Sequence, residues 1–352
     1  MKAILLVGGF GTRLRPLTLH RPKAILPILN VPFIYYQLSL LEKAGVRDVV
    51  LASGHLSSGL KNALRHYPSR RMSITHAEEK TPLGTGGAIR FAYDQLKRKG
   101  LSKNERIIVF NGDILFDLDL IRFVDRHERS GAQCSIAVRP VPDPSRFGLV
   151  VLDSRNQVLE FLEKSNKTNK GNLINAGAYL FNSDLLNTIP QRKPVSIERD
   201  VFPVWLKEAV KIEGFPFRGY WNDIGTPATY LQAHKDLLFN KNIWTTKSLL
   251  RKRGLSQRRK KGLVMGTKTK VGKRVSVSGM VCLGSRVIIE DDCSLKDCVV
   301  FDNVHVGRGA RLSEAIIGAN CVVGAFSRID GGAVVGDGSL LTDYSNFSIP
   351  KR

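Results

Sequence analysis

Hydrophobic and polar positions divide the chain into two parts with different periods. Lys2 to Val7 is a short, nearly continuous apolar run that ends in glycines, as a strand buried on both faces does. A helical period follows from Asn30, with Pro32 expected in its first turn and Gly45 as its stop. Apolar runs return at 48–52 and 106–110, with a helical stretch from Gly87 to Lys99 between them. Strands alternating with helices predict an α/β layer with a Rossmann-like, mainly parallel sheet. Ligands on such sheets bind beyond the carboxyl ends of the strands. From Cys134 to Phe181 the runs shorten (135–139, 149–153, 158–162 and 174–181) and predict an antiparallel extension that covers the site.

Beyond Gly262 the period becomes six. Aliphatic or aromatic residues fall at 271, 277, 283, 289, 295, 301, 306, 312, 317, 323, 329 and 335. Small or β-branched residues recur four positions later, among them Cys293, Val299 and Cys321. Neither a helix nor a hairpin has this period. It predicts a left-handed parallel β-helix of hexapeptide repeats, in which large and small side chains alternate inside a narrow prism. The expected organisation is an α/β domain over 1–242, a linker over 243–262 and the β-helix over 263–345.

Composition and charge refine this picture. The 352 residues are 43% hydrophobic and 24% charged, as in an ordinary globular chain. No apolar run reaches the ~20 residues of a membrane span, and Ala3 to Val7 is too short for a signal-peptide core, so a cytoplasmic protein is expected. The five cysteines lack CxxC spacing, which argues against a zinc site or a disulfide framework. The net charge of +23 is unevenly spread: eight basic and no acidic residues fall in 247–261, whereas 262–352 is nearly balanced. Nucleic acid and phosphorylated substrates are both partners such an excess can serve. The run from Lys247 to Lys261 has no aromatic residues, so it reads as a solvated linker rather than a nucleic-acid site.

The densest chemistry lies directly after the first strand, in Gly8-Gly9-Phe10-Gly11-Thr12-Arg13 and the following Arg15, Arg21, Pro22 and Lys23. Glycines at a strand end let the backbone approach a ligand, and successive N–H groups there cradle anionic oxygens. Arg13 and Lys23 add fixed charge suited to a polyphosphate. The stretch is not a Walker A loop, and Leu14 stands where a dinucleotide fingerprint has its third glycine.

Leu6 to Lys23 resembles the signature of the sugar-phosphate nucleotidylyltransferases, and later motifs match that family in order. Pro82-Leu83-Gly84-Thr85-Gly86-Gly87 is similar to its second glycine-rich loop, and Asn111-Gly112-Asp113 to the segment bearing its first metal-binding aspartate. Arg146-Phe147-Gly148, Glu163-Lys164 and Asn175-Ala176-Gly177 resemble its sugar-phosphate contacts, and Trp221-Asn222-Asp223 its second metal-binding segment. The resemblance implies that Leu6, Gly8, Gly9, Gly11, Thr12, Arg13, Gly84 and Thr85 bind nucleotide. Asn111, Gly148, Glu163, Lys164 and Asn175 would bind sugar phosphate, Arg13, Lys23 and Lys164 would assist catalysis, and Asp113 and Asp223 would hold Mg²⁺.

The implied reaction joins a nucleoside triphosphate to a sugar 1-phosphate and releases pyrophosphate. Its nucleophile is already an anion, which agrees with motifs that lack His and Cys. Within the family the likeness runs closest to the branch that uses GTP and mannose 1-phosphate and also appends a hexapeptide β-helix. Gly86 departs from that branch, which commonly has alanine there, and the missing methyl is expected to widen the loop. Heptose or glucose 1-phosphate with GTP, dTTP or UTP is the alternative, and a non-catalytic regulatory subunit is another. An acyltransferase β-helix would need a histidine at a coil edge, and His305 is expected to face inward. The β-helix is expected to join copies of the chain into a homo-oligomer.

Overall fold

A computed structural model describes residues 1–54, 57–69, 71–162, 171–240, 243 and 262–349. The expected linker over 243–262 therefore lies, apart from Ile243 and Gly262, outside the described residues, as do Glu163 and Lys164. The chain divides into two compact units. One comprises 1–9, 37–58 and 67–221, and the other 10–36, 59–66 and 222–352.

The elements ahead of the β-helix are, in order, β1 (Lys2–Leu6), β2 (Pro27–Ile28), β3 (Val31–Pro32), α1 (Ile34–Lys43), β4 (Asp48–Ser53), α2 (Ser57–Arg65) and β5 (Ser73–Glu78). Then come α3 (Gly84–Arg98), β6 (Arg106–Asn111), β7 (Ile114–Phe116), α4 (Leu120–Ser130), β8 (Cys134–Pro140), β9 (Leu149–Leu152), β10 (Val158–Leu162) and β11 (Leu173–Asn182). The series closes with α5 (Phe202–Lys207), β12 (Ile212–Pro216), β13 (Trp221–Asp223) and α6 (Pro227–Phe239).

In the first unit β5, β4, β1 and β6 lie side by side and parallel. The strand β11 then pairs antiparallel with both β6 and β8, and β9 and β10 complete that edge. The antiparallel extension is therefore continuous with the parallel sheet. Ala88, Ile89, Ala92, Tyr93 and Leu96 form one helical face of α3 and bury it against Ile4, Val50 and Val109 of the sheet.

Two helix starts differ from the sequence expectation. The helix α3 begins at Gly84, three residues early, because the main chain of Val195 meets its first turn: the N–H groups of Gly86 and Gly87 both donate to Val195 O. The helix α1 begins at Ile34, four residues late. Leu29 and Asn30 both adopt positive φ (48° and 62°) and form the two-residue turn joining β2 to β3, so Pro32 sits in a strand.

In the second unit, residues 263–348 wind as a parallel β-helix whose strands stack in three columns, with Leu283, Val300, Ile317 and Val335 in register. Coils of 17 or 18 residues follow from that register. The six-residue count slips on one coil: Val300 and Cys298 enter the apolar interior, in place of the expected Phe301 and Val299. His305 is another correction. It points outward, half exposed, with Nε2 2.8 Å from Glu290 Oε1, because Val304 and Val306 take the interior places. All five cysteines are free and buried, and burial pushes the Cys298 thiol up to about 12, which suits packing rather than redox chemistry. Among the described residues no helix is long and apolar enough to cross a membrane.

Candidate functional site

In the first unit the site residues cluster at the carboxyl ends of parallel strands. Gly112 N donates to Leu6 O at 2.9 Å, and a β-carbon on Gly112 would stand 2.3 Å from that same oxygen. Only glycine allows β6 to turn so close to β1, and Asp113 follows directly. The turn is clamped from α1: Gln37 is buried and its Nε2 donates to Asn111 O (2.8 Å) and Ile114 O (2.9 Å). Sequence reasoning missed Gln37, since nothing local marks a partner 74 residues away.

Asn111, Gly148 and Asn175 are brought together. Asn175 N donates to Gly148 O at 2.9 Å, Asn175 Oδ1 accepts from Gly177 N, and a β-carbon on Gly177 would stand 2.9 Å from Asn111 Nδ2. Gly177 has φ 73°, so glycine is required there twice over. Asn175 Nδ2 continues to the Tyr179 hydroxyl, which donates to Glu198 Oε1 at 3.1 Å. Burial and the Glu198 charge hold the Tyr179 phenol protonated.

The second glycine-rich segment differs in detail from expectation. The hydroxyl of Thr85 donates to Glu198 Oε2 and accepts from Ile197 N, both at 2.9 Å, so this side chain ties the helix start to the 195–198 segment. A methyl at Gly86 would meet Ile197 N and Val195 O, both at 3.2 Å. The space it leaves is filled by protein, and the loop is not widened toward a ligand.

Glu79 was also missed. Its Oε2 accepts from Leu83 N at 3.0 Å, while Oε1 lies 3.6 Å from where a Gly8 β-carbon would stand, so the carboxylate sits between the two glycine segments. Desolvation raises its pKa, against the lowering effect of the Leu83 hydrogen bond. Its place just ahead of Pro82-Leu83-Gly84 was the available signal.

In the second unit, Gly11 (φ 59°) begins the short 3₁₀ turn Thr12–Leu14, and the Thr18 hydroxyl fixes the loop by donating to Gly11 O at 2.8 Å. A β-carbon on Gly11 would press on Thr18 and on Lys23 Cβ at 3.3 Å, so the glycine lets Lys23 fold back against its own loop. Asp223 gathers both cations: Arg13 Nη2 stands 3.9 Å from its Oδ2, and Lys23 Nζ 3.9 Å from its Oδ1. Gly225 makes room, since a β-carbon there would lie 2.6 Å from Arg13 Nη2 and 3.1 Å from Asp223 Oδ1. Arg21 is not part of this group. Read in the sequence with the substrate-facing cations, it pairs instead with Asp337 of the β-helix at 2.5 Å.

Asp113 and Asp223 offer hard carboxylate oxygens. No cluster of three or more His, Cys, Asp or Glu suited to a metal occurs among the described residues. Each is the kind of hard oxygen donor that Mg²⁺ takes, and that ion needs only one or two carboxylates because water and phosphates complete its shell.

Glycine-rich strand ends on a parallel α/β sheet in one unit, and paired cations on a glycine-built loop in the other, are features of proteins that handle phosphates. The comparisons give the family: the chain belongs to the nucleotidyl transferases, whose family model matches residues 2–240, followed by a match to the GMPPB C-terminal domain over 260–344. It is 34% identical to mannose-1-phosphate guanylyltransferase 1 of Arabidopsis thaliana, over 99% of this chain and 95% of that protein. It is 33% identical to a mannose-1-phosphate guanylyltransferase of Mycobacterium tuberculosis, over 87% and 81%. Among solved structures, HddC from Yersinia pseudotuberculosis superposes with a TM-score of 0.57 at 28% identity, covering 67% of this chain and 98% of that one.

Proposed function

We propose that this chain transfers the guanylyl group of GTP to mannose 1-phosphate, forming GDP-mannose and pyrophosphate. The observation that carries the reaction class is that Arg13 and Lys23 of a glycine-built loop gather at Asp223 of β13; the substrates are supported by the names of the full-length relatives. A sugar phosphate oxygen is anionic at neutral pH and needs no general base. The enzyme's task is to align two polyanions and neutralise the charge that develops on the departing pyrophosphate. Arg13 and Lys23 would take that charge, and the main chain at Gly8, Gly9, Gly11 and Gly84 would line the nucleotide. Asn111, Gly148 and Asn175 would orient the sugar phosphate, assisted by Glu163 and Lys164. Asp113 and Asp223 are the proposed Mg²⁺ ligands, and the metal would supply Lewis-acid stabilisation of the α-phosphate.

Glu79 supports GTP over the other triphosphates. A carboxylate accepts from two adjacent donors, and guanine alone among the common bases presents a ring N–H beside an exocyclic amine as such a pair. Glu79→Gln is expected to reduce kcat/KM for GTP by about tenfold, the scale of one hydrogen bond to a charged group. An unchanged value would remove Glu79 from base recognition.

The strands Leu340–Leu341 and Asn346–Ser348 end their columns with Leu340 and Tyr344 strongly exposed, which supports a contact between copies of the chain. A monomer by light scattering would contradict it. The cytoplasm is the proposed place of action.

The test of the reaction is pyrophosphate release from each of four nucleoside triphosphates crossed with mannose, glucose, N-acetylglucosamine and heptose 1-phosphates. GTP with mannose 1-phosphate should turn over fastest. Preference for dTTP or UTP would overturn the guanylyl assignment, and silence with every pair would overturn the enzyme reading in favour of a regulatory subunit.

A further inference from the structure

One corner of the β-helix departs from its own repeat. The residue after the inward Leu283, Ile317 and Val335 is glycine, and at two of these places a β-carbon would collide with an aspartate of the next coil: Gly284 with Asp302 Oδ1 at 2.4 Å, and Gly318 with Asp337 Oδ1 at 2.6 Å. After Val300 the equivalent residue is Phe301, buried to 3% exposure. The Arg21 guanidinium lies over its ring, 5.1 Å from the centroid. The same guanidinium donates through Nη2 to Asp337 Oδ2 at 2.5 Å.

Arg21 does not meet this corner alone. Asn30 Nδ2 donates to Leu283 O at 2.7 Å, and Pro16 packs on Gly336, where a β-carbon would find it 3.1 Å away. The 16–30 segment thus follows the corner along successive coils. Asp337 has two separate duties. Its Oδ1 accepts from Ala319 N at 2.8 Å, as Asp291, Asp302 and Asp343 accept from Lys273 N, Ser285 N and Ala325 N, a device that satisfies main-chain donors at coil corners. Its other oxygen goes to Arg21.

Arg21 connects to Lys23 through a stiff link. Pro22 between them has its φ fixed by the ring, here −62°, and caps the 3₁₀ turn Lys23–Ile25, with Ile25 N donating to Pro22 O. Holding Arg21 therefore constrains where the Lys23 ammonium stands beside Asp223.

We infer that Arg21 is a positioning residue, held by the Phe301–Asp337 corner of the β-helix, and that through Pro22 this corner sets the place of Lys23 for nucleotidyl transfer. The inference rests on the proposed reaction and gives the β-helix a part in it within a single chain, separate from any role in assembly.

The test compares Asp337→Asn, Arg21→Gln and the double variant in pyrophosphate formation from GTP and mannose 1-phosphate, each checked by circular dichroism and thermal melting. The amide in Asp337→Asn keeps an oxygen for Ala319 N and puts an N–H donor where Oδ2 accepted from Arg21, so both the charge and the Arg21 hydrogen bond are lost. Each single change should lower kcat about tenfold with KM for mannose 1-phosphate within about twofold, and the double change should add nothing, the signature of one coupled pair. Wild-type kcat in Asp337→Asn would overturn the inference. So would a raised KM in Arg21→Gln alone, which would make Arg21 a direct substrate contact. If Asp337→Asn does not fold, Phe301→Leu replaces it, with a severalfold loss of kcat expected and no loss contradicting. Pyrophosphate binding by calorimetry needs no turnover, so it separates failure of the positioning inference from failure of the reaction. Affinity should fall about fivefold or more in Asp337→Asn, and equal affinity would overturn the inference even in a chain that turned over nothing.

Discussion

Arg13 and Lys23 stand beside Asp223 at a distance that attracts without forming a direct hydrogen bond. Both cations are thus held near a carboxylate, and the proposed reaction assigns them to the phosphate oxygens. Lys23→Ala should lower kcat by about 10²- to 10³-fold, as loss of one preorganised charge does, with the far-UV spectrum unchanged. Gly225→Ala tests the same geometry through shape. Its methyl would displace the half-exposed Arg13 head, so kcat should fall about tenfold or more while Tm moves by only a few degrees. At this scale the sequence was informative where chemistry is packed into a few consecutive residues, as from Gly8 to Lys23. It failed for Glu79, whose role depends on burial between two distant segments, and for Arg21, whose charge looked identical to that of Arg13 until Asp337 claimed it.

Elements position these residues through contacts that the local pattern does not display. Gln37 on α1 holds both carbonyls flanking the Asp113 turn. Gln37→Leu removes the donor to both carbonyls, so it should cost about 1 to 3 kcal/mol in denaturant unfolding and also reduce kcat. A stability loss without any change in kcat would separate Gln37 from the site. The periodic elements were legible: the β1 strand, the β4 and β6 strands, and the hexapeptide coils all follow from burial at a regular spacing. Departures arose where two readings were locally equivalent. Val300 and Phe301 are both apolar, and counting six favoured the residue that in fact leaves the interior to meet Arg21. The glycines at 84–87 read as a loop, but the Val195 carbonyl caps them into the first turn of α3.

For the whole molecule, charge and pH are the accessible variables. The excess of +23 includes Arg13 and Lys23 beside Asp223 and Arg21 within a structural pair, while Lys247 to Lys261 lies outside the described residues. Two buried histidines have their pKa lowered. Burial lowers His234 to about 3, and it lowers His127, which lies between the Ser135 hydroxyl and Asn182 Oδ1. Below about pH 6.5 the unfolded chain protonates these rings and the folded chain resists, so stability present at neutral pH is lost as pH falls. His234 alone contributes up to ~1.4 kcal/mol per pH unit toward its folded value. Thermal melting should show Tm falling from about pH 7 to 5, with a shallower slope in His234→Gln; equal slopes would mean that His234 does not remain neutral in the fold.

The proposed reaction joins two phosphates and expels pyrophosphate. Phosphorus NMR of the full chain with GTP, mannose 1-phosphate and Mg²⁺ tests it most directly, run beside Asp113→Asn. The wild-type sample should develop the paired resonances of a new diphosphate ester together with free pyrophosphate, and the variant should not. Orthophosphate in place of pyrophosphate would overturn the proposed reaction, and a variant that forms the ester as fast as the wild type would overturn the metal role of Asp113.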